Sequence, residues 1–262
     1  MSTASTNPEI DVSFQGHVAV VEIRRPPHNY FDIAMIQGLA NAFEALEVDP
    51  NCRAIMLCAQ GTAFCAGANF TNRDATPDQR SPRAVNPLYW EAVRLFSCTK
   101  PVVAAIHGAA IGGGLGLAVV ADFRVTCPEA RFSANFNRLG FHPGFGLTVT
   151  LPRLVGQQKA TLLFYTGRRV GGEEAVAIGL ADVLVPQDQV RAKALELATE
   201  IATSSPLAVQ STRATMRAGL AQEVRNAVAR ESVEQNLHFK TEDFKEGVKA
   251  MAERRDPKFQ GR

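Results

Sequence analysis

Two glycine-bearing loops carry the residues of this sequence that are best suited to chemistry. The glycine triplet at 112–114 stands between an apolar run at 101–106 and an apolar segment at 115–121. A second loop of small residues, 61–70, follows the apolar run 54–59. Glycines between a strand and a helix let another group approach the backbone closely, and the first N–H groups of a helix have no partner within it. Each loop therefore offers an N–H group to an oxygen that carries negative charge.

If the two loops meet, one N–H group from each can point at the same oxygen. Such a pair is an oxyanion hole, and each donor stabilises the transition state of acyl chemistry by about 3–4 kcal/mol. The alternative interpretation is that the glycine triplet forms only a tight packing turn, which is the usual role of such a triplet taken alone. The presence of the second loop favours the oxyanion hole.

The motifs around both loops resemble those of the crotonase (enoyl-CoA hydratase/isomerase) superfamily. The resemblance is carried by Phe64-Cys-Ala-Gly-Ala-Asn69, Lys100-Pro-Val-Val-Ala-Ala-Ile-His-Gly and Ile111-Gly-Gly-Gly. It continues in the same order through residues 130–132, 151–156, 164–167, 175–180 and 243–255, and so spans nearly the whole chain. The resemblance implies that the oxyanion donors are the backbone N–H groups of Ala68 and Gly113.

The resemblance also implies positions for acid–base residues, and three of these positions hold no group that can transfer a proton. The two glutamates of the hydratases correspond to Gly116 and Phe136, and the aspartate of some isomerases corresponds to Gly144. The glutamates activate water and deliver a proton, and each such term contributes about 10²–10⁴-fold. Hydration of crotonyl-CoA is therefore predicted to be very slow. Installing Gly116→Glu together with Phe136→Glu is predicted to raise it if the pocket keeps hydratase geometry.

His142 is the candidate for a replacement acid or base. It lies in the segment 139–144, which the resemblance implies to be beside the pocket. An imidazole can act as a general base near neutral pH. The alternative is a structural histidine that bonds a backbone carbonyl and braces the turn.

The resemblance implies that the substrate is an acyl thioester of coenzyme A, with no tightly bound cofactor and no metal. Family members bind the phosphates of the coenzyme with scattered basic residues. These correspond here to Arg24 or Arg25, and to Arg254 contributed by a neighbouring subunit. The alternative for each arginine is an ordinary solvated surface charge.

Two functions from different classes follow from these residues. The first is an acyl-CoA thioester-processing enzyme, a lyase or isomerase, that stabilises an enolate in the oxyanion hole and uses a non-standard acid or base. The second is a catalytically inactive family member that serves as an acyl-CoA binding or assembly protein. The paired loops favour the enzyme, because a purely structural relative does not need two N–H groups directed at one point. The loss of both glutamates favours the second function.

The elements that must position the loops predict an α/β fold. Apolar runs and alternation predict strands at 12–24 (a hairpin), 53–59, 101–106, 123–126 and 181–185. Helical spacing predicts helices at 33–48, 88–96, 115–121, 157–166, 173–178, 190–203, 206–218, 221–239 and 241–253. The segment 131–152 is predicted to be mostly loop, and 72–86 a mobile loop.

Strand–strand–helix units followed by helices alone predict an α/β core with a helical C-terminal extension. The resemblance implies a crotonase-like spiral of ββα units, here residues 1–195, which forms the acyl-CoA-binding core. Residues 196–262 then form a helical oligomerisation region. Members of the superfamily assemble as trimers or dimers of trimers, so a homotrimer or a dimer of trimers is expected.

Charge and composition argue against several other classes of protein. The formal net charge of +2 is too small to favour nucleic acid or an anionic membrane surface as a partner. No apolar run reaches the ~20 residues that a membrane span needs, and residues 1–8 lack the pattern of a signal peptide. The five cysteines form no CxxC pair, which is typical of free thiols in a reducing cytoplasm.

Overall fold

The computed structural model describes residues 7–69 and 84–262, and two sheets form its centre. The larger sheet contains β1 (Ile10–Gln15), β2 (Val18–Ile23), β3 (Ala54–Ala59), β5 (Val102–Ile106), β7 (Phe123–Thr126) and β10 (Val183–Leu184), neighbours in that order. The smaller sheet contains β4 (Ala63–Cys65), β6 (Ala109–Ile111), β8 (Arg131–Ser133) and β9 (Val170–Gly171), also in that order.

The larger sheet is parallel apart from its first strand. β1 and β2 form the predicted antiparallel hairpin, and each later strand of the sheet pairs in parallel with its neighbour. Every residue of β2, β3 and β5 is buried. A parallel strand covered on both faces has no solvent-facing positions, which explains why these strands are continuous apolar runs, interrupted only by Glu22 in β2. The predicted strands of this sheet are therefore confirmed, with small shifts at their ends.

The smaller sheet repeats the path of the larger one. β4 follows β3, β6 follows β5 and β8 follows β7, each after a short connection. β4, β6 and β8 pair in parallel. The chain thus makes a strand in one sheet, then a strand in the other, and then passes to the next turn of the repeat. This is the predicted spiral arrangement, and it brings the loops after β4 and β6 side by side.

Ten α-helices lie within the described residues. They are α1 (Ile33–Val48), α2 (Pro87–Ser97), α3 (Gly113–Ala118), α4 (Leu147–Val155), α5 (Gln157–Thr166), α6 (Gly172–Ala177), α7 (Val190–Thr203), α8 (Pro206–Met216), α9 (Leu220–His238) and α10 (Glu242–Ala252). α1 begins where the sequence predicts, because the Asp32 carboxylate accepts a hydrogen bond from the Met35 N–H at 2.9 Å. The buried face of α1 packs against β1, β2 and α2.

The prediction that 131–152 is mostly loop is wrong. The segment contains β8, a short 3-10 helix at 137–139 and the first part of α4. α4 begins against the Glu231 carboxylate, which accepts hydrogen bonds from the Gly146 N–H at 2.8 Å and the Thr148 N–H at 3.1 Å. The capping residue therefore stands 85 positions further along the chain, on α9. No local sequence signal marks such a helix start.

Helices α7 to α10 form the helical C-terminal region. α7 packs on β3, β5 and β7, while α9 packs on α2 and α4. The predicted boundary between 195 and 196 falls inside α7, and buried residues of α7 and α9 belong to the same hydrophobic core as the sheets. The division into two regions stays a prediction. Residues 72–83 of the predicted mobile loop lie outside the described residues. Among the residues that are described, no helix is long and apolar enough to cross a bilayer.

Candidate active site

The two glycine loops meet at the N-terminal end of α3. A Cβ atom on Gly67 would lie 2.7 Å from the Ile111 carbonyl oxygen and 3.7 Å from the Gly113 nitrogen. Gly67 also has a φ of +83°, which L side chains disfavour. A Cβ atom on Gly114 would overlap the carbonyl oxygen of Cys65. These glycines are therefore required for the close approach of one loop to the other.

The N–H group of Ala68 has a fixed direction. The Gly67 carbonyl belongs to the same peptide group and accepts a hydrogen bond from the Phe31 N–H at 3.0 Å. Because the C=O and N–H of a trans peptide point in opposite directions, the Ala68 N–H points away from the Phe31 nitrogen. Within residues 7–69 and 84–262 it donates to no backbone acceptor.

The N–H group of Gly113 is held in the same way. It belongs to the peptide whose carbonyl, on Gly112, accepts a hydrogen bond from the Gly116 N–H at 3.2 Å. That carbonyl points along α3, so the Gly113 N–H points out of the first turn of the helix. Gly112 is itself fixed, because its N–H donates to the Ser133 carbonyl at 2.8 Å. In the described part of the chain the Gly113 N–H also has no backbone acceptor. Two such N–H groups on adjacent loops can stabilise an oxygen that carries negative charge.

At Gly116, to which the resemblance assigns a glutamate, another residue fills the space that a side chain would need. A Cβ atom on Gly116 would lie 2.6 Å from Cδ1 of Phe145 and 2.7 Å from its Cβ and Cγ. Phe145 is fully buried and has a φ of +65°, which is uncommon for a residue with a side chain. A glutamate at 116 therefore has no room while Phe145 keeps its place. The predicted effect of Gly116→Glu with Phe136→Glu depends on a pocket with hydratase geometry, and it stays a prediction.

The other two acid–base positions are also filled. A Cβ atom on Gly144 would overlap the Tyr89 hydroxyl and lie 2.5 Å from Gln235 Nε2. The Tyr89 hydroxyl donates to Gln235 Oε1 at 2.8 Å. Phe136 is buried, and its Cζ lies 3.9 Å from the position of a Cβ atom on Gly112, beside the glycine triplet. Aromatic side chains and the Gln235 amide thus occupy the space that side chains at 116 and 144 would need, and position 136 is itself a buried phenylalanine.

His142 is partly buried and has a defined tautomer. Its Nδ1 lies 2.8 Å from the Pro143 carbonyl oxygen, which can only accept, so Nδ1 carries the proton and the neutral ring has its lone pair on Nε2. The backbone of His142 is held by α9, because its N–H donates to His238 Nδ1 at 3.2 Å and its carbonyl accepts from Gln235 Nε2 at 2.8 Å. The contact with Pro143 is consistent with a structural histidine that holds the turn, and the oriented Nε2 is consistent with a general base. Both interpretations stay open.

Two further ionisable groups, Glu231 on α9 and Cys65 at the end of β4, are buried. Glu231 was not identified from the sequence, since a glutamate in an amphipathic helix usually lies on the solvated face. Its burial raises the pKa, while hydrogen bonds from Thr148 and Gly146 act in the opposite direction. Burial raises the pKa of the Cys65 thiol to about 12, so this cysteine is not a nucleophile near neutral pH.

The three arginines predicted to bind coenzyme A lie at two places. Arg24 and Arg25 follow β2, and both guanidinium groups are engaged in ion pairs. The partners are Asp11 and Glu22 for Arg24, and Glu9 and Asp32 for Arg25. Arg254 is exposed directly after α10, with a φ of +55°. Binding of the coenzyme by these residues stays a prediction.

All five cysteines are buried and free, which confirms the prediction of free thiols. Among residues 7–69 and 84–262, no group of three His, Cys, Asp or Glu side chains could hold a metal ion.

Comparison with known proteins gives one consistent family. The profile of the enoyl-CoA hydratase/isomerase family matches residues 13–262. The chain is 33% identical over 247 residues to the putative enoyl-CoA hydratase/isomerase YngF of Bacillus subtilis, and the aligned region covers 94% of this chain and 95% of that protein. It is 40% identical over 209 residues to the probable enoyl-CoA hydratase EchA14 of Mycobacterium tuberculosis, with 79% of this chain and 80% of that protein covered.

Solved structures agree with the sequence comparisons. The enoyl-CoA hydratase/isomerase of Pseudoalteromonas atlantica T6c superposes with a TM-score of 0.85 at 29% identity, over 96% of this chain and 100% of that chain. The predicted crotonase-like α/β fold is thereby confirmed. The chain belongs to the enoyl-CoA hydratase/isomerase family.

Proposed function

We propose that this chain is an acyl-CoA thioester-processing enzyme that stabilises an enolate between the N–H groups of Ala68 and Gly113. One observation carries the proposal: both N–H groups lie on adjacent loops and belong to peptides whose carbonyls are bonded elsewhere. Family membership supports an acyl-CoA substrate, because relatives of this chain are named as enoyl-CoA hydratases.

The proposed chemistry follows from the position of the two donors. A thioester carbonyl oxygen that accepts both hydrogen bonds gains negative charge as a proton leaves the α-carbon. Donors that are already oriented stabilise this charge without rearranging, and each one contributes about 10²–10³-fold to kcat. Because an enolate lies on the route of both a lyase and an isomerase, the same oxyanion hole serves either reaction.

The proton-transfer group must differ from the glutamate pair of the hydratases, since Gly116 and Phe136 stand at those positions. His142 is the candidate. Its Nδ1–H is directed at the Pro143 carbonyl, which leaves Nε2 as the atom able to accept a proton. A general base that is already held in the reactive tautomer does not have to reorient before it accepts the proton.

Coenzyme A enters as part of the substrate, and no tightly bound cofactor is required. Arg24 or Arg25 and the Arg254 of a neighbouring subunit are proposed to contact its phosphates, in a homotrimer or a dimer of trimers. The exposure of Arg254 supports a contact across subunits. The buried free thiols support a reducing compartment such as the cytoplasm.

The proposal is tested by exchange of the α-protons of butyryl-CoA in D₂O, followed by NMR, because exchange reports the enolate whatever the net reaction is. The Ala68→Pro variant deletes an N–H that has no backbone partner in the described part of the chain, so little structure is lost with it. It should lower the exchange rate about 100-fold or more. The Ala68→Ser variant keeps the N–H and is the matched control, expected within about threefold of wild type.

Two outcomes would contradict the proposal. Equal exchange in wild type and Ala68→Pro would show that the enolate oxygen is bound elsewhere. Binding without exchange, over short, long and aromatic acyl-CoA thioesters, would instead identify a family member that binds acyl-CoA and has lost catalysis.

A further inference from the structure

Phe31 touches both halves of the proposed oxyanion hole. Its backbone forms an isolated parallel bridge with Ala68, beside the hydrogen bond from the Phe31 N–H to the Gly67 carbonyl. Its ring lies against the second loop: a Cβ atom on Gly113 would overlap Phe31 Cζ and lie 2.8 Å from Cε1. The side chain is buried, with only 8% of the residue surface exposed.

The backbone of Phe31 sets the direction of the first donor. The Gly67 carbonyl and the Ala68 N–H are two ends of one planar peptide group. A hydrogen bond of 3.0 Å on the carbonyl end therefore restrains rotation of the whole peptide plane. Without this bond, the glycine at 67 would leave the plane free to turn, because glycine imposes little restriction on φ and ψ.

The ring of Phe31 sets the position of the second donor. It stands where a side chain on Gly113 would otherwise be, so the first turn of α3 rests directly on the ring. The ring is supported in turn by Phe145, with 5.8 Å between the two ring centroids. A close-packed aromatic ring allows little movement of the backbone that lies against it.

The segment that carries Phe31 is tied to the first loop. Asn29 is fully buried with a φ of +50°, a conformation that asparagine tolerates better than most residues. Its Nδ2 donates to the carbonyls of Gln60 at 2.6 Å and Ala63 at 2.7 Å, which flank the turn into β4. Asn29 therefore ties the segment that carries Phe31 to the turn before β4, and the Phe31 N–H ties it to the loop after β4.

We propose that Phe31 is a positioning residue of the oxyanion hole, which holds the Ala68 N–H in direction through its backbone and the Gly113 N–H in place through its ring. The inference rests on the proposed function, because it requires the two N–H groups to bind a thioester oxygen. Phe31 acts through these donors and not on the substrate. Its loss should weaken polarisation of the carbonyl and leave binding of the coenzyme portion unchanged.

A spectroscopic experiment separates this role from that of an ordinary core phenylalanine. The probe is 4-(dimethylamino)cinnamoyl-CoA, a conjugated thioester whose absorption moves to longer wavelength when hydrogen bonds polarise its carbonyl. Phe31→Leu removes the ring and keeps the N–H. An amide-to-ester exchange at Phe31 removes the N–H and keeps the ring. Phe43→Leu, at a buried phenylalanine on α1, is the matched control.

The wild-type protein should shift the absorption of the probe to longer wavelength. Each Phe31 variant should lose half of this shift or more, and should lower the kcat for exchange of the α-protons of butyryl-CoA about tenfold or more. The Kd of the probe and the KM for butyryl-CoA should stay within about threefold of wild type. Phe43→Leu should keep the full shift, although it lowers thermal stability as any truncation of a buried phenylalanine does.

Each Phe31 variant tests the inference by itself, so failure of one to fold leaves the other decisive. A full shift in a folded Phe31 variant, or an equal loss of shift in Phe43→Leu, would overturn the positioning role. Absence of a shift in the wild-type protein with bound probe would count against the oxyanion hole itself, and thus against the proposed function.

Discussion

The ring of Phe145 fills the space into which a side chain on residue 116 would extend. A Cβ atom on Gly116 would lie 2.6 Å from Phe145 Cδ1, so the phenylalanine and a carboxylate at 116 exclude each other. Tyr89 stands in the same relation to Gly144. Two of the positions to which the resemblance assigns carboxylates, 116 and 144, therefore have their side-chain space occupied by aromatic residues.

Gly116→Glu alone should reduce the free energy of unfolding by about 2–4 kcal/mol and give no hydration of crotonyl-CoA. The reasons are overpacking against Phe145 and burial of a carboxylate without a partner. The variant that combines Gly116→Glu with Phe145→Ala should lose less free energy of unfolding than the two single variants lose when their losses are added. Denaturant unfolding of the three variants measures this coupling. Strict additivity would show that the two positions do not compete for the same space.

Glu231→Ala should destabilise the protein by about 3 kcal/mol, because it leaves one buried and one partly buried N–H group at the start of α4 without an acceptor. Glu223→Ala is the control on the same helix. Glu223 pairs with Arg153 at the surface, and such a pair contributes about 0–1 kcal/mol. Equal losses in the two variants, measured by urea unfolding, would contradict the capping role of Glu231.

Asp122 should make stability depend on acid pH. Burial alone would raise its pKa, but Arg213 and Arg217, with contacts of 2.8 and 2.7 Å, lower the pKa below the ordinary value of 3.8. The unfolded chain then binds the proton more readily than the folded one, so the contribution of Asp122 is complete above the unfolded pKa and is lost as pH falls through the folded pKa.

The measurement for Asp122 is the difference in free energy of unfolding between wild type and Asp122→Asn, followed with pH. Breaking the buried ion pair should cost about 3–5 kcal/mol at neutral pH. The difference should hold down to about pH 5 and shrink below pH 3.8. A difference that stays the same across the acid range would show that the carboxylate does not titrate in the way its ion pairs require.

If His142 is the proposed general base, His142→Ala should lower turnover of an acyl-CoA substrate about 100-fold while binding is retained, because the variant loses the Nε2 that would accept the proton. His142→Asn separates catalysis from bracing. The Nδ2 of an asparagine stands where His142 Nδ1 stands and can bond the Pro143 carbonyl, but the amide cannot exchange a proton near neutral pH. Recovery of wild-type turnover in His142→Asn would assign the histidine to bracing and remove it from the reaction.

Most of the larger sheet could be predicted from the sequence, because β2, β3 and β5 are long enough for their burial to appear as apolar runs. β9 has only two residues, and β4 and β6 have three, too few to show any periodicity. α4 was missed for a different reason. Its first turn depends on a carboxylate from α9, and such a long-range contact leaves no mark in the local sequence.

The candidate site divides in the same way. The glycine loops around Ala68 and Gly113 could be recognised, because small residues after apolar runs are a local pattern. The aromatic residues that pack against Gly113, Gly116 and Gly144, which are Phe31, Phe145 and Tyr89, could not. Each comes from a separate part of the chain, and only the packed structure brings it against its glycine.

The central claim is tested most directly by the structure of the protein with a bound acyl-CoA whose carbonyl is intact and unreactive. The measurement is the pair of distances from the acyl carbonyl oxygen to the backbone nitrogens of Ala68 and Gly113. Both should be about 2.7–3.1 Å, the range in which an N–H group stabilises an oxyanion. A carbonyl oxygen farther than about 4 Å from either nitrogen, with the coenzyme portion well bound, would contradict the proposed oxyanion hole.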